Sequence, residues 1–423
     1  MRIGPGVSLG SAGPAPGPEV RRAEPDGAQR TVHPGSQGEL TIRHVRTFAE
    51  LEELLVPWRQ LYERSGSRNP YAAPEWLLEW ARHFVAEPEL DVLAVSRRER
   101  LVGVAPGYRR RLGAGLRTVQ LLGAGRHDEL TELPGVLAEP ADGRAVLRAV
   151  VGDWCARQSG WDWLDLPLSA EQGWFEPEWL TGEVARHGLV RHKTTRPSVV
   201  LPLPAAPEDL RHALKRNVRE SLRSARSRLD RSGRRWAVTA HQSEPQVRLV
   251  LPELARLHAA RAALPGRRRH TDVLASAAQR AFLGEVLPRM ARAGRATILT
   301  LDVEDRPVAA QVVLSAPQAD YLGISGVDPD WWHSSPVTLL QLAAAERAAE
   351  RGQGELNLSL GPDVAKLRWS EQVVQQPEFT VCGPRLRSRG GYTAYAAAAA
   401  VAGVRREAVR HRIRKDATGG GTP

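Results

Sequence analysis

Apolar and polar positions along the 423-residue chain follow two rhythms, and the order of those rhythms repeats. Leu40-Thr-Ile-Arg-His-Val45 alternates with period two, the pattern of a half-buried strand. Thr47 and Glu50 then form a capping box, and Phe48, Leu51, Leu54, Leu55, Trp58 and Leu61 recur at helical spacing, with Pro57 expected to bend or interrupt the helix. After a polar turn from Ser65 to Asn69, Pro74 opens a second helix whose buried side carries Trp76, Leu77, Trp80 and Phe84. Three strands follow: Leu90 to Val95, Leu101 to Tyr108 across the charged turn Arg97-Arg-Glu-Arg100, and Leu116 to Leu122. A helix from about Gly143 to Gln158 and a strand from Trp161 to Leu166 complete the series.

The series returns in the second half. Ala296 to Val303 reads as a strand, Glu304-Asp-Arg-Pro307 as a charged turn, Val308 to Leu314 and Asp320 to Ser325 as two more strands. A helix from Pro336 to about Arg351 and a strand from Glu355 to Leu360 close it. Repetition of a whole supersecondary order, about two hundred residues apart, points to duplication. The expected fold class is α/β with mixed sheets, in two tandem domains over residues 39–203 and 204–390. Residues 1–38 are rich in Gly, Pro, Ala and Arg and are expected to stay disordered, because they bury too little apolar surface to offset ordering entropy. Residues 391–423 are expected to form an Ala- and Arg-rich helix, Ala396 to Arg414, and a flexible end.

Between the halves, Leu210, Leu214, Val218, Leu222, Ala225 and Leu229 step by three or four and form one apolar stripe, read as a single basic helix over residues 208–232. Ten basic residues against two acidic ones fall between Arg211 and Arg235, Arg219 and Arg223 among them. Such a concentration of one sign suits phosphate binding, and a solvated helix face is the plain alternative.

Composition narrows the class. Lysine plus arginine number 59 against 48 acids, a net charge of +11 that can attract phosphorylated ligands, RNA or anionic lipid. Cys155 and Cys382 are the only cysteines, which makes no disulfide framework and no zinc-binding cluster; no metal is expected. The N-terminus lacks an apolar signal segment, and the longest apolar run, Ala396 to Val404, is too short to span a bilayer, so a cytoplasmic protein without a membrane span is expected.

Five motifs in order resemble the BioF2-like, cellulose-biosynthesis-CelD-type acetyltransferases, a branch of the GNAT superfamily related to the FemABX peptidyltransferases. They are Trp58-Arg-Gln-Leu61 with Asn69-Pro-Tyr71, Pro74-Glu-Trp76 and Trp80; the basic helix ending Arg228-Leu-Asp-Arg-Ser-Gly233; Leu257-His258 with Arg261; Ser335-Pro336; and Leu360-Gly361-Pro-Asp363-Val-Ala-Lys366-Leu-Arg368-Trp369. The likeness covers roughly residues 45–385 and departs at Val337, where the family typically has glycine, and at Ala365, where it has an aromatic residue. It implies two tandem GNAT-like (acyl-CoA N-acyltransferase) domains and transfer of an acyl group, acetyl in the first instance, from acyl-CoA to a small amine. A FemABX-like transferase drawing its aminoacyl group from tRNA is one alternative; a non-catalytic RNA- or surface-binding protein on the same fold is another.

The candidate residues follow from that chemistry. The helix start at Ser334-Ser-Pro-Val-Thr338, with Ser334, Ser335, Val337 and Thr338, offers N–H donors to a pyrophosphate; an ordinary N-cap reads equally from the residues. His258 on a helix edge suits a general base, or a structural histidine. Asp363 and Lys366 follow the last strand of the second half, where α/β folds place ligands, and Lys366 can face a phosphate, a carboxylate or a developing oxyanion. Tyr321 on the third strand of that half is a candidate proton shuttle, as is His333. Asp128 and Glu129 occupy the corresponding loop of the first half and can orient an acceptor amine, or simply be solvated.

Overall fold

The computed structural model describes residues 30–32, 39–157, 160–168, 181–182, 185, 188–194, 197–264 and 272–401. The N-terminal half holds strands β1 (Arg30–Val32), β2 (Leu40–Val45), β3 (Val92–Arg97), β4 (Arg100–Ala105), β5 (Gly107–Arg111), β6 (Arg117–Leu121), β7 (Leu137–Ala138) and β8 (Trp163–Pro167). Its helices are α1 (Phe48–Glu53), α2 (Leu55–Arg64), α3 (Pro74–Phe84) and α4 (Gly143–Ala156). Two strands, β9 (Leu189–Thr194) and β10 (Ser198–Pro202), lead to the second half. There α5 (Leu210–Ala213), α6 (Arg216–Arg231), β11 (Trp236–His241), α7 (Glu244–Ala262) and α8 (Ala277–Arg292) precede β12 (Ala296–Val303), β13 (Arg306–Ser315) and β14 (Ala319–Val327). The remaining elements are α9 (Pro336–Glu350), β15 (Glu355–Leu360), α10 (Val364–Leu367), β16 (Val373–Val374) and β17 (Pro377–Cys382), followed by a helix over 386–401.

The duplication is visible down to the turns. Arg98 and Glu99 join β3 to β4 with both residues at positive φ, and Glu304 and Asp305 join β12 to β13 in the same way. Two consecutive left-handed residues are the signature of a tight hairpin whose twist matches its strands. In each half an antiparallel run then meets one parallel pair, β6 with β8 and β14 with β15, with α4 or α9 between the paired strands. Pro106 ends the single strand expected over residues 101–108 and splits it into β4 and β5, because proline offers no N–H to a ladder.

Each half borrows a strand from the other. β10, which follows β9 directly, lies between β15 and β16 in the seven-stranded sheet β11-β12-β13-β14-β15-β10-β16. β17, which follows β16, lies between β8 and β9 in the sheet β5-β6-β8-β17-β9. A linear boundary near residue 203 therefore does not divide the chain into two separately closed sheets.

The helices reinforce this exchange. One apolar cluster joins Leu61, Trp76 and Trp80 of α2 and α3 to Leu254, Phe282 and Met290 of α7 and α8. Phe282 meets Trp76 edge to face at 5.3 Å between centroids, a favoured geometry for two aromatic rings. Beside it, the buried Glu75 carboxylate takes Arg59 at 2.5 Å from its own half and Arg295 at 2.8 Å from the other.

Two expectations change. The stripe Leu210 to Leu229 is buried throughout, yet it lies on two helices, because Leu214 (ψ 141°) and Lys215 (ψ 148°) are extended between α5 and α6. The N-terminal tail expected to be disordered contributes β1, which pairs antiparallel with β2; its other residues up to 38, and those beyond 401 in the expected C-terminal helix, lie outside the described residues. Among the described residues no helix is long and apolar enough to cross a membrane.

With strands exchanged and a core shared, the halves should unfold together. Far-UV circular dichroism and tryptophan fluorescence are expected to trace one coincident urea transition. Glu75→Ala, which leaves Arg295 with Glu63 as its remaining carboxylate partner, is expected to lower stability by about 1–3 kcal/mol in the same measurement.

Candidate active site

Ladder pairing between β14 and β15 stops at Tyr321 and Asn357, yet β14 runs on to Val327 and β15 to Leu360. Past that pair the two strands separate, and polar groups from both halves gather around them.

On the β14 side, α7 packs directly against the strand. Gly326 permits this approach: a Cβ there would sit 2.5 Å from the backbone of both Leu257 and His258. His258 is consequently buried, with Nδ1 2.8 Å from the Ser325 carbonyl oxygen and Nε2 accepting the Val273 N–H over 3.2 Å. A carbonyl only accepts, so Nδ1 carries the hydrogen and the ring is neutral with both nitrogens engaged. Arg261, one turn along, donates to the Ser325 hydroxyl. Burial pulls its pKa below the ordinary arginine value, and the attraction of Asp363 opposes that shift.

On the β15 side the central group comes from the other half. Glu132 Oε2 accepts from the Tyr321 hydroxyl at 2.5 Å, the Ser359 hydroxyl at 2.6 Å and the Leu360 N–H at 2.9 Å. Ser359 has φ +76°, a left-handed conformation that costs a non-glycine residue about 1–3 kcal/mol. Burial pushes the Tyr321 phenol well above its usual pKa, and the Glu132 charge pushes further, so the phenol keeps its proton and donates it. Tyr71 packs edge to face on Tyr321 at 5.3 Å. Lys366 clamps the same segment from behind, Nζ donating to the Leu360 carbonyl over 2.5 Å. Asp363 caps α10 by accepting the Lys366 N–H over 2.9 Å.

A third cluster lies at the start of α9. Ser335, its N-cap, is also left-handed (φ +52°) and makes no side-chain cap bond. Arg228 of α6 approaches the Ser335 hydroxyl with Nη2 at 3.4 Å, while among the described residues Arg228 Nε and the wholly buried Ser334 hydroxyl have no hydrogen-bond partner. Buried donors left without acceptors cost about 1–3 kcal/mol each, and an anion at this helix start would satisfy them. Among the backbone donors, Ser335 N–H is taken by the Trp332 carbonyl and Thr338 N–H by the Ser335 carbonyl, and Pro336 has none. Val337 turns its side chain onto the apolar cluster beneath, with Trp331 and Trp332.

Tyr321, Asp363 and Lys366 are thus brought to the end of β15, and His258 is tied to that region through Ser325. Ser334, Ser335, Val337 and Thr338 sit at the α9 start, as expected of one helix cap. Arg219 and Arg223 stand on the exposed face of α6; the arginine that reaches Ser335 is Arg228. Glu132, Ser325 and Ser359 carry no sequence signal of their own, since each gains its role from a contact made by a distant segment. Gly326→Ala is expected to push α7 off β14, reducing kcat/KM at least about tenfold and stability by about 1–3 kcal/mol, checked by steady-state kinetics and urea denaturation.

Comparison with known proteins agrees with this architecture. A family model described as an acetyltransferase (GNAT) domain matches residues 216–367, from the first residue of α6 through α10. No curated protein matches the chain in sequence. Its structure is similar to that of FemX, at 11% identity over 77% of this chain and 96% of that one, with a TM-score of 0.53. It is also similar to a conserved protein of unknown function from Bacteroides thetaiotaomicron VPI-5482, at 13% identity over 80% and 99% of the two chains, with a TM-score of 0.51. A tandem GNAT protein from the clavulanic acid biosynthesis pathway aligns at 16% identity over 82% and 99%, with a TM-score of 0.41. The chain has a duplicated GNAT-like acyltransferase fold, with the matching domain in its second half.

Proposed function

We propose that the protein transfers an acyl group, acetyl in the first instance, from acyl-CoA to an amine, in the manner of the CelD-type acetyltransferases that its motifs resemble. The observation that carries this reading is the donor set at the α9 start: Arg228, with an uncommitted Nε, and the unpartnered Ser334 hydroxyl at the N-terminus of a 15-residue helix. These groups fit a pyrophosphate, with the guanidinium supplying what a backbone reduced by Pro336 does not. The thioester then runs between β14 and β15 toward Tyr321, Ser359 and Lys366. A thioester is already activated, so the protein needs only to hold it beside the nucleophile, manage one proton and steady the tetrahedral oxyanion. Arg261 and Lys366 supply positive charge for that oxyanion, Asp363 holds the Lys366 turn, and His258 acts as a positioning residue that locks Ser325 to α7.

One observation favours a second reading, aminoacyl transfer from tRNA. Arg219 and Arg223 lie exposed on one face of α6, and among the described residues neither is paired with a carboxylate. A nucleic-acid backbone would neutralise them and give a steep salt dependence.

Calorimetric titration with acetyl-CoA, longer acyl-CoAs and bulk tRNA at two salt concentrations separates the two. Saturable acyl-CoA binding is expected, weakened about 10- to 100-fold in Arg228→Met, the loss of a charged hydrogen bond. Unchanged affinity in that variant would remove the phosphate site. Binding of tRNA without acyl-CoA, reduced by Arg219→Ala with Arg223→Ala, would establish the second reading instead.

A further inference from the structure

The first half contains the same parted strands as the second. β6 and β8 pair only at Thr118 with Trp163 and Val119 with Leu164. A cavity of about 960 Å³ opens beyond, walled by the loop after β6, the ends of β8 and β17, and the helix over 386–401. Four carboxylates line it, those of Asp128, Glu132, Asp165 and Glu378, against one basic side chain among the described lining residues, Arg191. In a chain with a net charge of +11 this is a local reversal of sign. Asp165 is held by three neutral donors, the Gln120 amide, the Trp163 indole and the Thr380 hydroxyl, and Arg191 spreads over the Tyr392 ring at 5.7 Å.

Glu132 belongs to this cavity and to the second-half site at once. Its Oε2 holds Tyr321, Ser359 and the Leu360 N–H, and among the described residues no donor reaches its Oε1. One oxygen is fixed by the strands that embrace the donor; the other is free on the residue that lines the acidic cavity.

We propose that Glu132 is the catalytic base of the transfer, and that the acceptor is a cationic primary amine carrying a second cationic group, which occupies the cavity of the first half. The inference rests on the acyl-transfer reading for its chemistry, while binding of the acceptor stands apart from it. The acceptor ammonium gives one proton to Glu132 Oε1, and the freed nitrogen attacks the thioester carbonyl. The C–N bond forms, the C–S bond breaks, and a second proton from nitrogen goes to the leaving thiolate. The products are an amide and a thiol, with one proton left on Glu132 to pass to solvent. The remaining carboxylates hold the second cationic group, and the tyrosine- and alanine-bearing helix face covers its hydrocarbon.

The probes are 1,8-diaminooctane and spermidine, with 1,8-octanediol as an uncharged control of the same length. By calorimetry without donor, both amines should bind saturably and the diol should not. Asp128→Asn and the wall variant Ala399→Trp should each weaken amine binding at least about fivefold and leave acetyl-CoA affinity unchanged. Glu132→Gln keeps a carbonyl oxygen for its three donors, so melting temperature and acetyl-CoA affinity should hold. Its kcat/KM for the diamine, read as thiol release, should fall at least about 100-fold, with loss of the acid limb of the pH–rate profile. No amine binding by the native protein, or binding indifferent to Asp128→Asn and Ala399→Trp, overturns the cavity assignment. A Glu132→Gln enzyme with kcat/KM within threefold of native, or with its acid limb unmoved, overturns the base. If Glu132→Gln fails to fold, the cavity variants still decide where the amine binds, and Glu132→Asp, which retracts the carboxylate while keeping its charge, should lower kcat without moving the acid limb. Absence of acyl-CoA binding alongside cavity-dependent amine binding would sink the donor reading alone.

Discussion

The reciprocal exchange of β10 and β17 is the constraint on which the rest of the molecule depends. Each strand closes a gap in a sheet that its own half leaves open, so neither sheet is complete without chain from the other side of the duplication. A loosely linked pair of domains could not hold a hydrogen bond from one half to the other within a few tenths of an ångström. The exchange, with the aromatic core of Trp76 and Phe282 and the buried Glu75 pair, makes the two halves one body. Only then can a loop of the first half deliver Glu132 to the end of β15.

Strain marks both places where ligands are proposed to bind. Ser335 and Ser359 are serines in a conformation that favours glycine, one at the α9 start and one beside Glu132. The cost is small against the burial around them, and the result is geometric: each backbone kink turns a hydroxyl toward an arginine or a carboxylate. The two sites differ in charge. Among the described residues the α9 start presents unpartnered donors and the first-half cavity presents acids, the charges that the proposed anionic donor and cationic acceptor would need.

Much of the scaffold was legible along the chain. The capping box at Thr47 and Glu50, the proline starts of α3 and α9, the charged hairpin turns and the repeated strand order are all short-range signals, and the structure follows them. The second-half strands were readable for the same reason, since each is a bounded run of buried apolar residues. The site was legible only in pieces. Tyr321, Asp363 and Lys366 sit where the strand ends put them, whereas Arg219 and Arg223 stand on the exposed face of α6 and Arg228 reaches Ser335, because periodicity fixes which residues are exposed but not what faces them. The stripe from Leu210 to Leu229 shows the same limit: a break at Leu214 and Lys215 leaves its buried spacing almost unchanged.

The sequence by itself determined the element types, their repeated order and the residues that must be buried, since backbone propensity, capping and hydrophobic periodicity act over a few neighbouring positions. Tertiary structure alone decided which strand pairs with which, and so which half β10 and β17 complete. It alone decided that Glu132 meets Tyr321, that His258 is locked by Ser325 and Val273, and that Arg228 reaches Ser335. Those contacts join residues far apart in the chain, and their partners are chosen by global packing and hydrogen-bond satisfaction, which no local pattern encodes.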